Sequence, residues 1–210
     1  MKAIILAAGR GKRLKEKTEP ANKSMLTFKD RHLIEYSLET AKLSKVDEII
    51  IVVGYRAADI VNKFGIQYAN IKVRYVIQEE QRGLVNALEY ARDALDGDDF
   101  ILLLADEIMI HPNPQEMIAT FKNENLFVMC GVTRVEDRSQ ISKTYTVICN
   151  ETDNRIYRLI EKPRNPETPS MTSWEQETVF LKMRYLTISL IRLSIMCAKR
   201  KNCRILFSAA

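Results

Sequence analysis

The chain has 210 residues, which is long enough for one globular domain with a sizeable core. Its 46% hydrophobic and 28% charged residues exclude a disordered or collagen-like protein, and no apolar run reaches the roughly 18 residues of a membrane span. Its four cysteines show no CxxC spacing, so we expect neither a disulfide framework nor a zinc site, and we expect a cytoplasmic protein.

The net charge of +5 is confined to the last part of the chain. Residues 171–210 contain seven Lys or Arg and two acidic residues, whereas residues 1–170 are neutral overall. The same tail contains the one tryptophan but no glycine and no proline. We therefore predict two segments, a core over 1–170 and an atypical basic tail over 171–210. The neutral core argues against a nucleic-acid or membrane partner.

Strand and helix patterns alternate along the core. In chain order they predict strand 2–7, helix 33–43, strand 48–53, helix 57–64, strand 73–77, helix 84–95, strand 100–105, helix 114–121 and strand 126–132. Two further strands, 144–149 and 155–160, flank the turn residues 151–154 and predict a hairpin. Continuous apolar strands alternating with helices indicate an α/β fold with a mostly parallel sheet and helices on both faces.

A glycine-containing loop follows the first predicted strand. In the stretch Ala7-Ala8-Gly9-Arg10-Gly11-Lys12-Arg13, the two glycines allow the backbone to approach phosphates, and the basic side chains add positive charge. An ordinary glycine turn with a solvated basic rim is the alternative. The stretch matches neither the P-loop nor the GxGxxG pattern. Ligands of such sheets bind where the strands end, so this loop is a candidate phosphate site.

Three other candidates lie before or after apolar stretches. Lys23 precedes such a stretch and, considered alone, is an ordinary surface lysine. Asp106 follows strand 100–105, where a carboxylate suits Mg²⁺, although a loop or capping acid is the alternative. Glu161 and Lys162 end the last predicted strand of the core, where they face either a substrate or water.

Five motifs together resemble the sugar-1-phosphate nucleotidyltransferases. Residues 6–14 resemble the family's GxGTRLxPLT loop, and Lys23 resembles the lysine of its PKxLxP element; Lys12 and Asn22 stand where Thr and Pro are usual. The other four are 78–88 for the Q…GLAxAL element, 104–107 for the GDN strand, 145–147 for YGV and 161–163 for EKP. The resemblance runs in order from residue 1 to about 170.

This resemblance implies a Rossmann-like three-layer nucleotidyltransferase fold and the transfer of a nucleotidyl group from a nucleoside triphosphate to a sugar 1-phosphate, with Mg²⁺. It implies catalytic roles for Arg13 at the leaving pyrophosphate and Lys23 at the phosphates, and it implies that Asp106 binds Mg²⁺. The implied nucleotide-binding residues are Leu6, Ala7, Ala8, Gly9 and Gly11 at the triphosphate and Gln78 and Gly83 at the base. Glu161 is implied to contact sugar hydroxyls, and Lys162 the sugar phosphate.

The tail lacks the glycine-rich MGTGN-like strand and the later metal-binding aspartate that the resemblance implies. Possible codons for residues 174–185, read one base out of frame, spell MGTGNCVFKNEI. We therefore expect a one-base deletion near 170–171 in the source gene or its recorded sequence. A divergent basic helix is the alternative.

Two functional hypotheses follow. The chain is either a nucleotidyltransferase, weakly active because of its tail, or a nucleotide-binding module without turnover. The sequence identifies neither the base nor the sugar, although glucose 1-phosphate thymidylyl or uridylyl transfer is the family's commonest activity. A homo-oligomer is an open alternative to a monomer.

Overall fold

A computed structural model describes residues 1–9, 22–109, 112–126, 128–134, 145–149, 156–161, 181–187 and 205–209. The chain divides into two compact units, the first built on residues 1–118 and the second on 119–188 with 205–209. No helix in the described ranges is long and apolar enough to cross a bilayer.

The first unit alternates strands and helices. In chain order its elements are β1 (Lys2–Leu6), a 3₁₀ turn (Lys23–Met25), β2 (Thr27–Phe28), β3 (Arg31–His32), α1 (Leu33–Leu43), β4 (Glu48–Val53), α2 (Ala57–Phe64), β5 (Gln67–Tyr68), β6 (Ile71–Ile77), α3 (Leu84–Tyr90), α4 (Arg92–Leu95) and β7 (Phe100–Leu104). Helix α5 (Pro114–Asn123) then leads into the second unit.

The sheet of the first unit has the order β7-β1-β4-β6-β5. β1 lies between β7 and β4 and is parallel to both, and β4 is parallel to β6. Only the two-residue β5 runs antiparallel, against β6. The four parallel strands therefore all end at the same edge of the sheet, which is where ligands of such folds bind.

Both faces of this sheet are buried. Successive strand residues point to opposite faces. One face packs in a cluster with residues of α1 and α2 and includes Ala3, Ile5, Ile49, Ile51, Ile34, Leu38 and Ile60. The residues of the opposite face are buried as well, among them Ile4, Ile50, Val52 and Leu102. Ala87 and Leu88 of α3 are also buried, as is Ala91 between α3 and α4. This is why the central strands are apolar throughout rather than alternating.

A charge cluster lies where the strands begin. Glu48 is the first residue of β4, and its carboxylate accepts from Arg74 at 3.0 Å and from Lys72 at 3.2 Å, with Lys2 at 3.7 Å. Burial opposes ionisation of Glu48, but the hydrogen bonds from Lys72 and Arg74 outweigh it, so its pKa lies below the ordinary value. Lys2 also donates to the backbone oxygens of Ala94 and Leu95 at 2.9 and 3.1 Å.

The second unit is described mainly by its strands. They are β8 (Val128–Arg134), β9 (Tyr145–Cys149), β10 (Ile156–Glu161), β11 (Leu181–Thr187) and β12 (Ile205–Ala209). Within this unit the strand order is β10-β9-β11-β8-β12. β12 is parallel to β8, and the other three pairings are antiparallel.

The α/β fold with a mostly parallel central sheet is confirmed. The predicted hairpin is also present as the antiparallel pair β9–β10, although its tip, 151–154, lies outside the described residues. One helix was expected over 84–95, but α3 and α4 are separate because the backbone turns at Ala91, whose N–H donates to Leu88 at 3.1 Å. The described part of the tail forms strands β11 and β12, not the basic helix that was the alternative. The boundary near residue 170 stays a prediction.

Candidate functional site

The candidate site is built on residues that follow the four parallel strands. We call these residues, 7–9, 54–55, 78–83 and 105–107, the carboxyl edge. The ladder continues into it, because Ala7 N–H donates to Val52 at 2.8 Å, Gln78 N–H to Val53 at 2.8 Å and Ala105 N–H to Leu6 at 3.1 Å. Residues distant in sequence are thereby fixed side by side.

The glycine loop begins at this edge. Ala7 and Ala8 are buried, Leu6 is half-buried, and Gly9 is exposed with no atom within 4 Å of where a Cβ would stand. Among the described residues, none therefore fills the space beside Gly9 at the end of β1. The rest of the loop, 10–21, lies outside the described residues, so the predicted roles of Gly11 and Arg13 stay predictions.

Gly54, directly after β4, allows the chain segments around Ala8 and Gln81 to approach it closely. Gly54 was not among the predicted site residues. A Cβ at this position would stand 3.1 Å from Ala8 Cβ and 3.1 Å from Gln81 Nε2, and 3.2 Å from the Ala8 oxygen. Any side chain here would force one of these neighbours to shift. The signal in the sequence was a lone glycine at the end of a β-branched strand.

Asn22 holds this edge together. Its side chain is fully buried; Nδ2 donates to the Ala7 oxygen at 3.1 Å and to the Tyr55 oxygen at 2.7 Å. Its Oδ1 accepts from Ser24 N–H at 2.9 Å and so caps the 3₁₀ turn that carries Lys23. The amide therefore joins the ends of β1 and β4 to that turn. In the sequence Asn22 is unusual only because it stands where proline is common, and proline offers no such donors.

Asn22 also contacts a charged pair on α2. Its backbone N–H donates to the Asp59 carboxylate, which accepts from Arg56 Nε at 2.6 Å. The hydrogen bond from Arg56, together with the positive charge of Arg56 and to a smaller extent the Asn22 backbone donor, outweighs the effect of burial and lowers the pKa of Asp59 below its ordinary value. Asp59 is therefore a fixed anion that holds the backbone of Asn22.

Lys23 and Asp106 form an ion pair in direct contact. They lie 83 positions apart in sequence, and each side chain is about one-third exposed. Both were predicted as site residues separately, and the structure brings them together at the carboxyl edge. An exposed lysine beside an exposed carboxylate can pair with either the carboxylate or an anionic ligand such as a phosphate.

Asp106 is the described residue best suited to hold Mg²⁺. Within the described ranges no group of three or more His, Cys, Asp or Glu residues could hold a metal ion. That excludes an all-protein cage in this part of the chain. One accessible carboxylate at the ends of the strands is the kind of ligand that Mg²⁺ uses, since Mg²⁺ takes one or two carboxylates together with substrate phosphates and water.

Gln78 and Gly83 lie in the part of the carboxyl edge that follows β6. Gln78 is 5% exposed, and its Nε2 donates to Asn86 Oδ1 on α3 at 2.8 Å. Gly83 begins α3 with φ of 102°, a conformation that other residues adopt only under strain. Gln78 was predicted from the motif, but Asn86 was not, although it occupies the variable position of that motif.

The residues predicted to bind the sugar 1-phosphate are in the second unit. Glu161 is the last residue of β10 in the second unit; its side chain and the whole of Lys162 lie outside what the structure describes. Their predicted contacts with a sugar phosphate therefore stay predictions.

Known proteins are similar to this chain over most of its length. A family model described as nucleotidyl transferase matches residues 2–185. The UTP–glucose-1-phosphate uridylyltransferase AglF of Haloferax volcanii is 29% identical over 166 residues, covering 79% of this chain and 67% of the relative. The bifunctional protein GlmU of Methanococcus maripaludis is 31% identical over 170 residues, covering 81% of this chain but only 38% of GlmU.

The chain is also similar in fold to solved structures. A solved structure of a UDP-glucose pyrophosphorylase complexed with UDP-glucose superposes with a TM-score of 0.75. It covers 96% of this chain and 80% of that one, at 22% identity. At that identity the likeness demonstrates a shared fold.

Proposed function

Because this chain belongs to the nucleotidyl transferase family, we propose that it transfers a nucleotidyl group from a nucleoside triphosphate to a sugar 1-phosphate. A phosphate oxygen of the sugar 1-phosphate attacks the α-phosphorus and forms a new P–O bond. The bond from the α-phosphorus to the bridging oxygen of the β-phosphate breaks, and pyrophosphate leaves with the electron pair. The products are a nucleoside diphosphate sugar and pyrophosphate.

The observation that carries this proposal is the contact between Lys23 and Asp106 beside the loop that follows β1. Such a transfer needs little covalent chemistry from the protein, so positioning and charge stabilisation supply most of the catalysis. A cation and a carboxylate at one edge can together serve both phosphates and a metal ion. Asn22, which caps the turn under Lys23, gives that cation a fixed base.

Each predicted residue has a role in the proposal. Gly9 and Gly11 let the loop approach the triphosphate, Arg13 neutralises the leaving pyrophosphate, and Lys23 pairs with the phosphates. Asp106 would hold Mg²⁺, which would supply charge neutralisation at the phosphate oxygens. Gln78 and Gly83 contact the base. The sugar 1-phosphate is bound by Glu161 through its hydroxyls and by Lys162 through its phosphate.

The nature of the sugar and nucleotide rests on the relatives. AglF is a UTP–glucose-1-phosphate uridylyltransferase, and the solved pyrophosphorylase structure is a complex with UDP-glucose. We propose glucose 1-phosphate as the first sugar to test. We further propose that the enzyme is cytoplasmic, since its proposed substrates, a nucleoside triphosphate and a sugar 1-phosphate, are charged and its cysteines show no disulfide pattern.

The composition of the tail is the reason for a second candidate function, a nucleotide-binding module without turnover. Residues 171–210 contain no glycine, whereas the out-of-frame segment MGTGNCVFKNEI has the glycine-rich character that the family resemblance implies. We propose that a one-base deletion near 170–171 replaces the sugar-site strand. Misplacement of the attacking phosphate by about 1 Å can cost about 100-fold in rate, so this chain would turn over weakly.

Pyrophosphate release tests the proposal. UTP, Mg²⁺ and a panel of sugar 1-phosphates are incubated with the 210-residue chain and with a frame-restored protein. We expect fast, sugar-dependent release from the restored protein and release at least about 100-fold slower from the chain as given. Equal rates would contradict the deletion, and no release from either form would contradict the transferase. Sequencing the source DNA checks the reading frame independently.

A further inference from the structure

Asp106 lies in a tight turn that immediately follows β7. The turn, residues 104–107, is closed by the Glu107 N–H, which donates to the Leu104 oxygen at 3.1 Å. Ala105 is fully buried, and its N–H continues the ladder to β1. The position of the Asp106 carboxylate therefore depends on how the Leu104 oxygen is held.

A buried hydroxyl on α1 holds that same oxygen. Ser37 is 2% exposed, and its Oγ donates to the Leu104 oxygen at 3.0 Å across 67 positions of sequence. Helical serines and threonines often donate to the backbone oxygen four residues earlier. Thr40 of this helix and Ser44 at its end do so, at 3.0 and 2.7 Å. Ser37 differs because its hydroxyl bonds another segment, so that both lone pairs of the Leu104 oxygen are in use.

The beginning of the same helix bonds the 3₁₀ turn that carries Lys23. Leu33, the first residue of α1, donates its N–H to the Leu26 oxygen at 2.9 Å, directly after that turn. His32 Nδ1 lies 2.7 Å from the oxygen of Met25, the last residue of the turn. Since a carbonyl oxygen can only accept, the ring nitrogen is the donor. The start of α1 therefore holds one turn, and a residue about one helical turn later holds the other.

We propose that α1 sets the spacing of Lys23 and Asp106, with Ser37 as the positioning residue on the Asp106 side. This proposal rests on the proposed function, in which the pair serves the triphosphate and Mg²⁺. Carboxylates that bind metal ions are kept in orientation by the hydrogen bonds around them. Without the Ser37 hydroxyl, the Leu104 oxygen keeps the bond that closes the turn but loses its bond to α1. The turn is then free to move relative to the helix that holds Lys23, so the two charges lose their fixed spacing.

Two alanine substitutions separate positioning from stability. Ser37→Ala removes the hydroxyl that bonds Leu104. Ser44→Ala is the matched control, because it removes a hydroxyl that is also buried and also donates to a backbone oxygen, but to one of α1 itself. Alanine has the highest helix propensity, so both variants should fold, and urea unfolding checks this. Dissociation constants for UTP are measured by calorimetry on the 210-residue chain, with EDTA and with saturating Mg²⁺, and the ratio of the two constants is the readout.

We expect Mg²⁺ to strengthen UTP binding by the same factor in the unmodified chain and in Ser44→Ala. In Ser37→Ala we expect that factor to be about 10-fold smaller, as for other residues that support a metal ligand. A hydroxyl that only stabilised the fold would change UTP binding equally with and without Mg²⁺. An unchanged factor in Ser37→Ala, or an equal fall in Ser44→Ala, would therefore overturn the proposal.

Amide hydrogen exchange of the ligand-free chain tests the same contact without nucleotide. Exchange at the Glu107 N–H should be about 5-fold faster in Ser37→Ala, the effect of one typical hydrogen bond, and unchanged in Ser44→Ala. Equal exchange in all three proteins would overturn the proposal. Absence of UTP binding in the unmodified chain would instead contradict the proposed function, and the Glu107 exchange would then decide by itself whether Ser37 holds the turn.

Discussion

The two ends of the parallel strands use charge in opposite ways. Where the strands begin, Glu48 is buried and saturated by Lys2, Lys72 and Arg74. Where the strands end, Lys23 and Asp106 have only each other as a charged partner among the described residues, and each remains about one-third exposed. The first arrangement has no capacity left for a ligand. The second can exchange its one internal partner for an external ion, which is what a binding site requires.

Two polar amides beside the ends of the strands differ in how many of their hydrogen bonds are used within the described part of the chain. Asn22, at the carboxyl edge, uses every hydrogen bond on neighbouring backbone and thereby fixes the ends of β1 and β4. Gln78, at the same edge, uses only its nitrogen within the described part of the chain. The edge thus combines rigid supports with groups that are held ready for a ligand.

The largest expected effect comes from Asp106→Asn. A neutral amide is a poor ligand for Mg²⁺, and the substitution also removes the partner of Lys23, so we expect Mg²⁺-dependent turnover of the frame-restored protein to fall about 100-fold or more. Turnover is measured as pyrophosphate release over a series of Mg²⁺ concentrations.

Asp98→Asn is the matched control for that experiment, because Asp98 pairs with Lys2 at the opposite end of the strands at 3.4 Å. We expect it to leave turnover unchanged. Similar losses in both variants would mean that the two ends are not functionally distinct, and an unchanged Mg²⁺ dependence in Asp106→Asn would remove Asp106 from the site.

The next largest effect is expected from Asn22→Leu, as a loss in the free energy of unfolding. The substitution leaves the oxygens of Ala7 and Tyr55 and the N–H of Ser24 without their buried partner, so we expect a loss of about 2–4 kcal/mol in the free energy of unfolding. Urea unfolding measures the loss. Asn113→Leu, which removes an exposed amide, should change stability by less than about 0.5 kcal/mol. A loss as small in Asn22→Leu as in Asn113→Leu would show that the amide does not hold the edge.

Glu48→Gln tests the other end of the strands. Removing the anion leaves three cations facing each other, and since two of them are largely exposed we expect a loss of about 1–2 kcal/mol near pH 7. The pKa of Glu48 is lowered in the fold, so its contribution is present above the ordinary value of 4.5 and is lost as the pH falls through the lower folded value. The unfolding curves of the two proteins should therefore converge in acid, while turnover at neutral pH stays the same. Curves that stay apart in acid would point to packing rather than charge.

The smallest effect is expected from Glu39→Gln on α1. Glu39 pairs with Lys42 one turn away at 3.0 Å, and both side chains are accessible to water. Such pairs contribute about 0.3–0.5 kcal/mol, so urea unfolding should show no larger change. A loss comparable to that of Glu48→Gln would show that burial does not set the value of these ion pairs.

Most elements of the first unit could be predicted because their signal is local. Helices α1 and α2 and strand β4 begin and end at the predicted residues, since their apolar patterns are visible in a short window and a glycine follows both α2 and β4. The two-residue strands β2 and β3 could not be predicted, because two residues carry no period. The break at Ala91 was missed because the apolar repeat continues through it.

The site was predictable residue by residue but not as an arrangement. Lys23 and Asp106 were identified from motifs, yet their contact joins residues 83 positions apart and depends on the parallel register of β1 and β7. Asn22 binds backbone oxygens of other segments, and Asn86 accepts from the side chain of Gln78 and the backbone of Arg82; no spacing in the sequence reveals such partners. Gly54 differs, because a glycine at the end of a buried strand is itself a signal of close approach.

Hydrogen exchange with and without UTP and Mg²⁺ tests most directly whether the two ends of the strands differ in function. If the carboxyl edge is the nucleotide site, amide protection should increase at residues 7–9, 54–55, 78–83 and 105–107 and stay unchanged around residues 2, 48, 72 and 98. The ligand adds hydrogen bonds and rigidity only where it binds. Protection gained at the start of the strands, or no change at either end with UTP in excess, would contradict the account.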